Sequence, residues 1–197
     1  MDDRMRQWLD DVSPEPRPAS EEPRPRRRGG RIHFIQNVPT PHNNVFLKQL
    51  REVHGSTLTL WYAKVTDGKY GFSKELAEDG GPSRVYGARL PSLGALREIA
   101  ANKEDGLVMV GWSNPTTRLL LFLLFALRRE YNVWFDQPLD DRSSVARNVL
   151  RDLSYMTLKH SRTKVFCAGR GAYDFFKKRG FAHERLALLP ISVAVPH

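Results

Sequence analysis

Short apolar, β-rich runs alternate with helical segments along most of the chain, and this alternation constrains the fold more than any other feature. Runs typical of strands lie at 31–36, 56–63, 106–112, 131–136, 164–168 and 186–189, with a weak edge strand at 85–88. Helical patterns lie between them at 45–53, 93–102, 116–130, 143–160 and 172–179. Alternating strands and helices favour a mostly parallel sheet with helices on both faces. We therefore predict an α/β domain.

The clearest unit is the buried strand 106–112 with the helix that follows it. Ser113 and Asn114 are residues that cap helices, and Pro115 fits a first helical turn. The helix 116–130 is apolar on nearly every side, as expected of a helix that packs against a sheet.

The helix 143–160 has an amphipathic pattern. A core-facing stripe at helical spacing and a basic, solvent-facing side are the simplest interpretation. We expect Val145, Val149, Leu153 and Met156 to face inward, and Arg147 and Arg151 to face outward.

The amino-terminal segment differs from the rest in composition. Residues 12–30 are rich in Pro, Arg and Glu and nearly lack apolar side chains, so they cannot offset the entropy of ordering. We predict a disordered tail over 1–30 and one folded domain over 31–197.

The net charge of +9 is concentrated late in the chain. Residues 142–185 contain 11 Lys and Arg against 3 Asp and Glu. Such a surface attracts nucleic acid, anionic lipid or phosphate groups, and a generally solvated surface is an equal alternative. The aromatic residues are not interleaved with the basic ones as stacking platforms require, which argues against nucleic acid.

A cytoplasmic location is the simplest interpretation of three features. The single cysteine, Cys167, excludes a disulfide within the chain and suits a reducing compartment. The first residues have no apolar segment typical of a secretory signal. The longest apolar run, 119–127, is far shorter than a bilayer span.

In a doubly wound sheet, ligands bind at the carboxyl ends of the strands. Four loops of this chain follow such strand ends, and each is a candidate site. The first, 37–44, offers polar side chains that can bond sugar hydroxyls or phosphate. The alternative is a plain turn with Asn43 or Asn44 as the helix cap. The candidate residues here are Asn37, Thr40, His42 and Asn43.

The second loop offers Trp112, Ser113 and Asn114 at a helix amino terminus, where free N–H groups favour anions or hydroxyl oxygens. Trp112 could stack on a sugar ring. The alternative is a capping sequence beside a core tryptophan.

The third and fourth loops offer one candidate role each. Asp136, followed by Gln137, could accept a proton from an acceptor hydroxyl, or could simply be a turn residue before Pro138. Arg170 lies in a Gly-Arg-Gly turn and is a candidate phosphate contact. Asp174 occupies the third glycine position of a dinucleotide-binding fingerprint, so we interpret this loop as a tight turn. The histidines have no ligand spacing, and we predict no metal site.

Four stretches together resemble the N-terminal domain of GT-B glycosyltransferases, especially the large retaining group called family four. They are NVPTPHNNVFLKQL at 37–50, GWSNPTTRLLLFLLFAL at 111–127, the strand 133–136, and the closing unit 164–190 with its Gly-Phe-x-x-Glu-Arg-Leu motif. The likeness covers most of residues 31–190. It implies a Rossmann-like, three-layer domain.

In that family the N-terminal domain binds mainly the acceptor, and a C-terminal domain binds the nucleotide-sugar, which is a co-substrate rather than a cofactor. The resemblance therefore implies the acceptor half of a hexosyltransferase, without its donor domain, that needs a second domain or chain. The expected partners are a glycan or lipid-linked acceptor, a donor-domain chain and an anionic membrane, to which the protein would bind peripherally. The alternative is a non-catalytic binding module that keeps the fold.

Overall fold

A seven-stranded parallel sheet forms the centre of the molecule. The structure is a computed structural model that describes residues 30–54, 57–65, 83–136 and 144–189. Of His42 and His54 it describes the backbone but not the side chain. The strands are β1 (Ile32–Gln36), β2 (Leu58–Tyr62), β3 (Ser83–Val85), β4 (Gly106–Val110), β5 (Asn132–Phe135), β6 (Lys164–Cys167) and β7 (Leu186–Leu188). The predicted tail and Gln137 lie outside the described residues.

The strand order is β3-β2-β1-β4-β5-β6-β7, and every neighbouring pair is parallel. The described helices are α1 (Pro41–His54), α2 (Leu93–Ala101), α3 (Pro115–Ala126), α4 (Val145–His160) and α5 (Arg170–Lys178). The predicted α/β class, with its Rossmann-like arrangement, is confirmed. None of the described helices has both the length and the apolar character needed to cross a bilayer.

The helices divide between the two faces of the sheet. Leu47 of α1 packs with Phe34 and Leu60 on one face. The other face carries α2 to α5, whose buried contacts include Ile99, Leu120, Leu158 and Phe176. The right-handed crossover rule explains this division. The chain moves along the sheet from β1 to β2 through α1, and it later returns past β1 to β4 through α2. Because these two movements have opposite directions, the helices lie on opposite faces.

The chain order reverses between β1 and β4, which are neighbours in the sheet. The loop after β1 leads to one face and the loop after β4 to the other. Folds of this kind bind ligands in a crevice between two such loops, at the carboxyl edge of the sheet.

The orientation predicted for α4 is wrong. The four side chains expected inside are more than half exposed: Val145 at 81%, Val149 at 62%, Leu153 at 52% and Met156 at 52%. Arg147 is exposed and Arg151 is half-buried.

The side of α4 that faces the core carries Ser154, Tyr155, Thr157 and Leu158. The Ser154 hydroxyl donates to the carbonyl of Leu150 at 2.8 Å, and the Thr157 hydroxyl donates to that of Leu153 at 2.9 Å. Because both hydroxyls are satisfied within their own helix, this polar-looking side can be buried. Tyr155 then packs its ring against Trp112 and Phe175.

The carboxyl end of α4 is capped by a distant arginine. Arg185 donates to the carbonyls of Leu158 at 2.7 Å, Lys159 at 2.5 Å and Thr163 at 3.0 Å. The last carbonyls of a helix have no partner within the helix, so a guanidinium placed there satisfies them. The Gly-Phe-x-x-Glu-Arg-Leu motif therefore joins α4 to β7.

Candidate binding crevice at the switch point

Asn37, Ser113 and Asn114 come together at the carboxyl ends of β1 and β4. The Asn37 amide nitrogen donates to the Ser113 hydroxyl oxygen. The Asn114 amide nitrogen donates to Oδ1 of Asn37 at 2.5 Å. The parallel pairing of β1 with β4 brings these two loops together although more than 70 residues separate them. The structure thus joins three of the candidate residues predicted from the sequence.

Tyr86 is buried and bonded to this group of residues, and the sequence analysis missed it. Asn114 Nδ2 donates to the Tyr86 hydroxyl at 3.0 Å, and that hydroxyl donates to the backbone carbonyl of Gln36 at 3.3 Å. Burial raises the pKa of Tyr86 to about 12, and the bond from Asn114 opposes this shift only in part. A tyrosine next to an edge strand gives no such signal in sequence.

The orientation of the Asn114 amide follows from its role as the cap of α3. Its Oδ1 accepts from the backbone N–H of Thr117 at 2.9 Å, so Nδ2 must face Asn37 and Tyr86. Both hydrogens of Nδ2 are then in use. Asn37 keeps one amide hydrogen and one oxygen lone pair, and Ser113 keeps its hydroxyl hydrogen. These groups are the ones a ligand would meet.

Gly111 directs the chain out of β4 and into this loop. Its φ of 67° lies in the left-handed region, which favours glycine. Its N–H donates to the carbonyl of Trp134 at 3.1 Å, which holds the turn against β5. Beyond the turn, Trp112 points inward and Ser113 is exposed.

Trp112 does not line the crevice. It is 4% exposed, and its ring lies 4.8 Å from that of Phe135 and 5.3 Å from that of Tyr155. A ring packed within the aromatic core has no free face for a sugar. The stacking role is therefore corrected, and the core alternative describes this residue.

The remaining residues of the first loop organise α1. Pro41 begins the helix, and Thr40 Oγ1 accepts from the backbone N–H of Asn43 at 3.4 Å, so Thr40 rather than an asparagine occupies the capping position. Asn43 is 6% exposed and donates to Oε1 of Gln36 at 2.7 Å. The side chain of His42 lies outside the described residues.

Asp136 and Arg170 lie at the ends of β5 and β6, on the same edge of the sheet. Asp136 is exposed, one strand away from Ser113. Arg170 is exposed and lies 3.9 Å from the carboxylate of Asp174 within α5. In the described ranges, no group of three His, Cys, Asp or Glu side chains could hold a metal ion.

The crevice is therefore rich in neutral hydrogen-bonding groups. Amide and hydroxyl groups at fixed positions suit a ligand that has hydroxyl groups of its own. No protein-family model matches the chain, and neither the curated proteins nor the solved structures include one that is significantly similar.

Proposed function

We propose that this chain is the acceptor-binding half of a glycosyltransferase, which transfers a sugar from a nucleotide-sugar to a glycan or lipid-linked acceptor. The observation that carries the proposal is the bonded group of Asn37, Ser113 and Asn114 at the switch point between β1 and β4. Asn37 has an unused amide hydrogen and oxygen lone pair, and Ser113 has an unused hydroxyl hydrogen. These groups can form hydrogen bonds with the hydroxyl groups of a sugar.

The rest of the proposed site follows from its position on the sheet. Asp136 would act as the base that takes a proton from the acceptor hydroxyl, because a carboxylate is one of the side-chain groups that can serve as a general base. Arg170 would contact a phosphate at the outer end of the same edge. The nucleotide-sugar would be bound mainly by a second domain or a partner chain that faces this edge.

A non-catalytic binding module is the second candidate, and one observation favours it. The residues bonded to each other in the crevice, Asn37, Tyr86, Ser113 and Asn114, include no carboxylate. Recognition of a glycan needs only such neutral groups, whereas transfer also needs a proton acceptor.

We place this function in the cytoplasm. Cys167 is a free, buried thiol, and a reducing compartment preserves it.

Binding can be tested by NMR on the isotope-labelled chain with mannose- and galactose-terminated oligosaccharides as probes. We expect the amide signals of Asn37, Ser113 and Asn114 to shift on titration. Ser113→Ala should weaken binding about twofold to tenfold, the value of one hydrogen bond. Ser83→Ala, at an exposed serine of β3, is the matched control and should bind like wild type. Shifts confined to residues outside the crevice would contradict the proposal, and so would tight binding of a nucleotide-sugar by this chain alone.

Catalysis can be tested with Asp136→Asn in an enzyme reconstituted with a donor-binding domain or chain. The proposed base predicts a loss of turnover of about 100-fold or more, with acceptor affinity retained. Unchanged turnover would remove Asp136 from the reaction. Oligosaccharide binding without turnover in any reconstituted mixture would favour the binding module.

A further inference from the structure

The exposed apolar side chains of α4 form one continuous stripe. Val145, Val149, Leu153 and Met156 follow helical spacing on the side opposite the buried Ser154 and Leu158. Each of the four is more than half exposed. Single exposed apolar residues are ordinary on protein surfaces, but a contiguous stripe marks an interaction site.

The stripe runs into a cavity that contains basic groups. Met156 lines this cavity of about 190 Å³ together with Lys159, Arg179, Tyr155 and Phe181. Asp152 also lines it and is the one acidic member. The guanidinium of Arg179 is held over the rings of Phe175, at 3.6 Å, and Tyr155, at 5.1 Å. Two cations thus lie directly beside an apolar surface.

The elements around the stripe are basic as well. Residues 144–189 contain ten Lys and Arg against three Asp and Glu. Lys177 and Lys178 are exposed in the last turn of α5, next to Arg179. A protein partner would need to complement this charge with an acidic surface of matching shape, whereas an anionic bilayer offers negative charge and an apolar interior at once.

We propose that the stripe of α4, with Lys159 and Arg179 at its end, is a docking surface for an anionic lipid bilayer. The four apolar side chains would enter the boundary between headgroups and acyl chains, with α4 lying parallel to the membrane plane. Lys159 and Arg179 would contact lipid phosphates. This inference does not depend on the proposed transfer activity.

The direction of α4 relates this surface to the crevice. A helix that follows a strand of a parallel sheet runs back towards the amino edge, so Val145 lies near the carboxyl edge and Lys159 near the opposite one. A bilayer along the stripe would therefore reach the edge that carries Asn37 and Ser113. A lipid-linked ligand would have a short path from the membrane to the crevice.

The test is sedimentation of the full chain with two kinds of vesicle, one of phosphatidylcholine alone and one containing equal parts of phosphatidylglycerol. Val149→Gln with Leu153→Gln removes the middle of the stripe while keeping residues that form helices well. Its matched control is Val53→Gln with Leu90→Gln, a valine and a leucine outside the stripe that are at least as exposed. Lys159→Gln with Arg179→Gln tests the charges, and Lys103→Gln with Arg97→Gln is its control. Circular dichroism checks the fold of each variant.

We expect wild type to sediment with the anionic vesicles and much less with phosphatidylcholine. The stripe variant should partition at least about tenfold more weakly, the charge variant about tenfold more weakly, and both controls within about twofold of wild type. Equal binding by the folded stripe variant would overturn the proposal, and so would an absence of wild-type binding. A wild-type dimer that Val149→Gln with Leu153→Gln converts to a monomer would assign the stripe to a second copy instead.

Discussion

Trp61 donates its indole Nε1–H to Nδ1 of His33 across 3.0 Å, which joins β2 to β1. An indole N–H can only donate, so Nδ1 carries no hydrogen and Nε2 carries the ring hydrogen. Nε2 lies 3.1 Å from Oδ2 of Asp105 and donates to it. All three residues are at most 7% exposed, so the network is a buried structural link between neighbouring strands.

This network predicts a coupling between Trp61 and His33. Trp61→Phe keeps an aromatic ring but leaves Nδ1 of His33 buried without a donor, which should lower the free energy of unfolding by about 1 to 3 kcal/mol. Urea denaturation of Trp61→Phe, His33→Phe and the double variant measures the coupling. The ¹⁵N shifts of His33 should also report a ring hydrogen on Nε2. Additive effects of the two substitutions would contradict the bond.

Arg185 should contribute strongly to stability through the end of α4. Arg185→Met keeps most of the side chain's length and removes three hydrogen bonds, so we expect a loss of about 2 to 4 kcal/mol in urea denaturation. The carbonyls of Lys159 and Thr163 lose this donor outright, whereas that of Leu158 still accepts from Ser161. Arg185→Lys should recover only part of this loss, because an ammonium cannot reach all three oxygens as a planar guanidinium does. Arg162→Met, at an exposed arginine, is the control and should change little. A similar loss in both methionine variants would show that the cap contributes nothing.

Two glycines should respond in opposite ways to alanine. Gly111 has a φ of 67°, and alanine there should destabilise the protein by about 1 kcal/mol although the space around it is open. Gly94 lies in the first turn of α2, and a Cβ there meets nothing within 4 Å. Gly94→Ala should stabilise by about 0.4 to 1 kcal/mol, because it restricts the unfolded chain. Thermal unfolding of both variants checks the opposite signs.

Stability should fall at alkaline pH because of Cys167. Burial raises the pKa of this thiol from 9.0 to about 11. Above pH 9 the unfolded thiol ionises while the folded one stays protonated, so its contribution is complete below pH 9 and is lost as the pH rises to 11. The loss is on the order of 2 kcal/mol. Tyr86 adds a similar loss between pH 10 and about 12.

Urea denaturation at pH 8 and pH 11 measures this dependence. Cys167→Ala should show a smaller difference between the two pH values than wild type, whatever its stability at pH 8. An equal difference in both proteins would exclude the thiol as a cause.

The strands and the helix order could be predicted from sequence because parallel α/β units leave strong local patterns. The run 106–110 is short, apolar and followed by an Asn-Pro cap, and it forms β4 and α3 as expected. The sequence could not place Tyr86 beneath Asn114, since that contact depends on which strands become neighbours. The position of β1 beside β4 is a property of the whole sheet.

The inversion of α4 has a different cause. The side that carries Val145, Val149, Leu153 and Met156 is the more aliphatic one, so periodicity alone favours it as the side facing the core. The aromatic contacts of Tyr155 and the internal bonds of Ser154 and Thr157 decided the opposite orientation. The strand-end position of Trp112 fits both a ligand contact and a core residue in sequence, and its burial after the turn at Gly111 decides for the core.

Asn37 and Ser113 extend from two loops whose spacing is set by a single strand pairing, in which Ile35 lies opposite Met109. A ligand that bridges the two side chains would resist any separation of β1 from β4. Amide hydrogen exchange along both strands should therefore slow when a ligand occupies the crevice. The slowing should extend to strand residues that do not touch the ligand. Ligand binding at the carboxyl edge would thus be detectable as slower amide exchange in the central strands of the sheet.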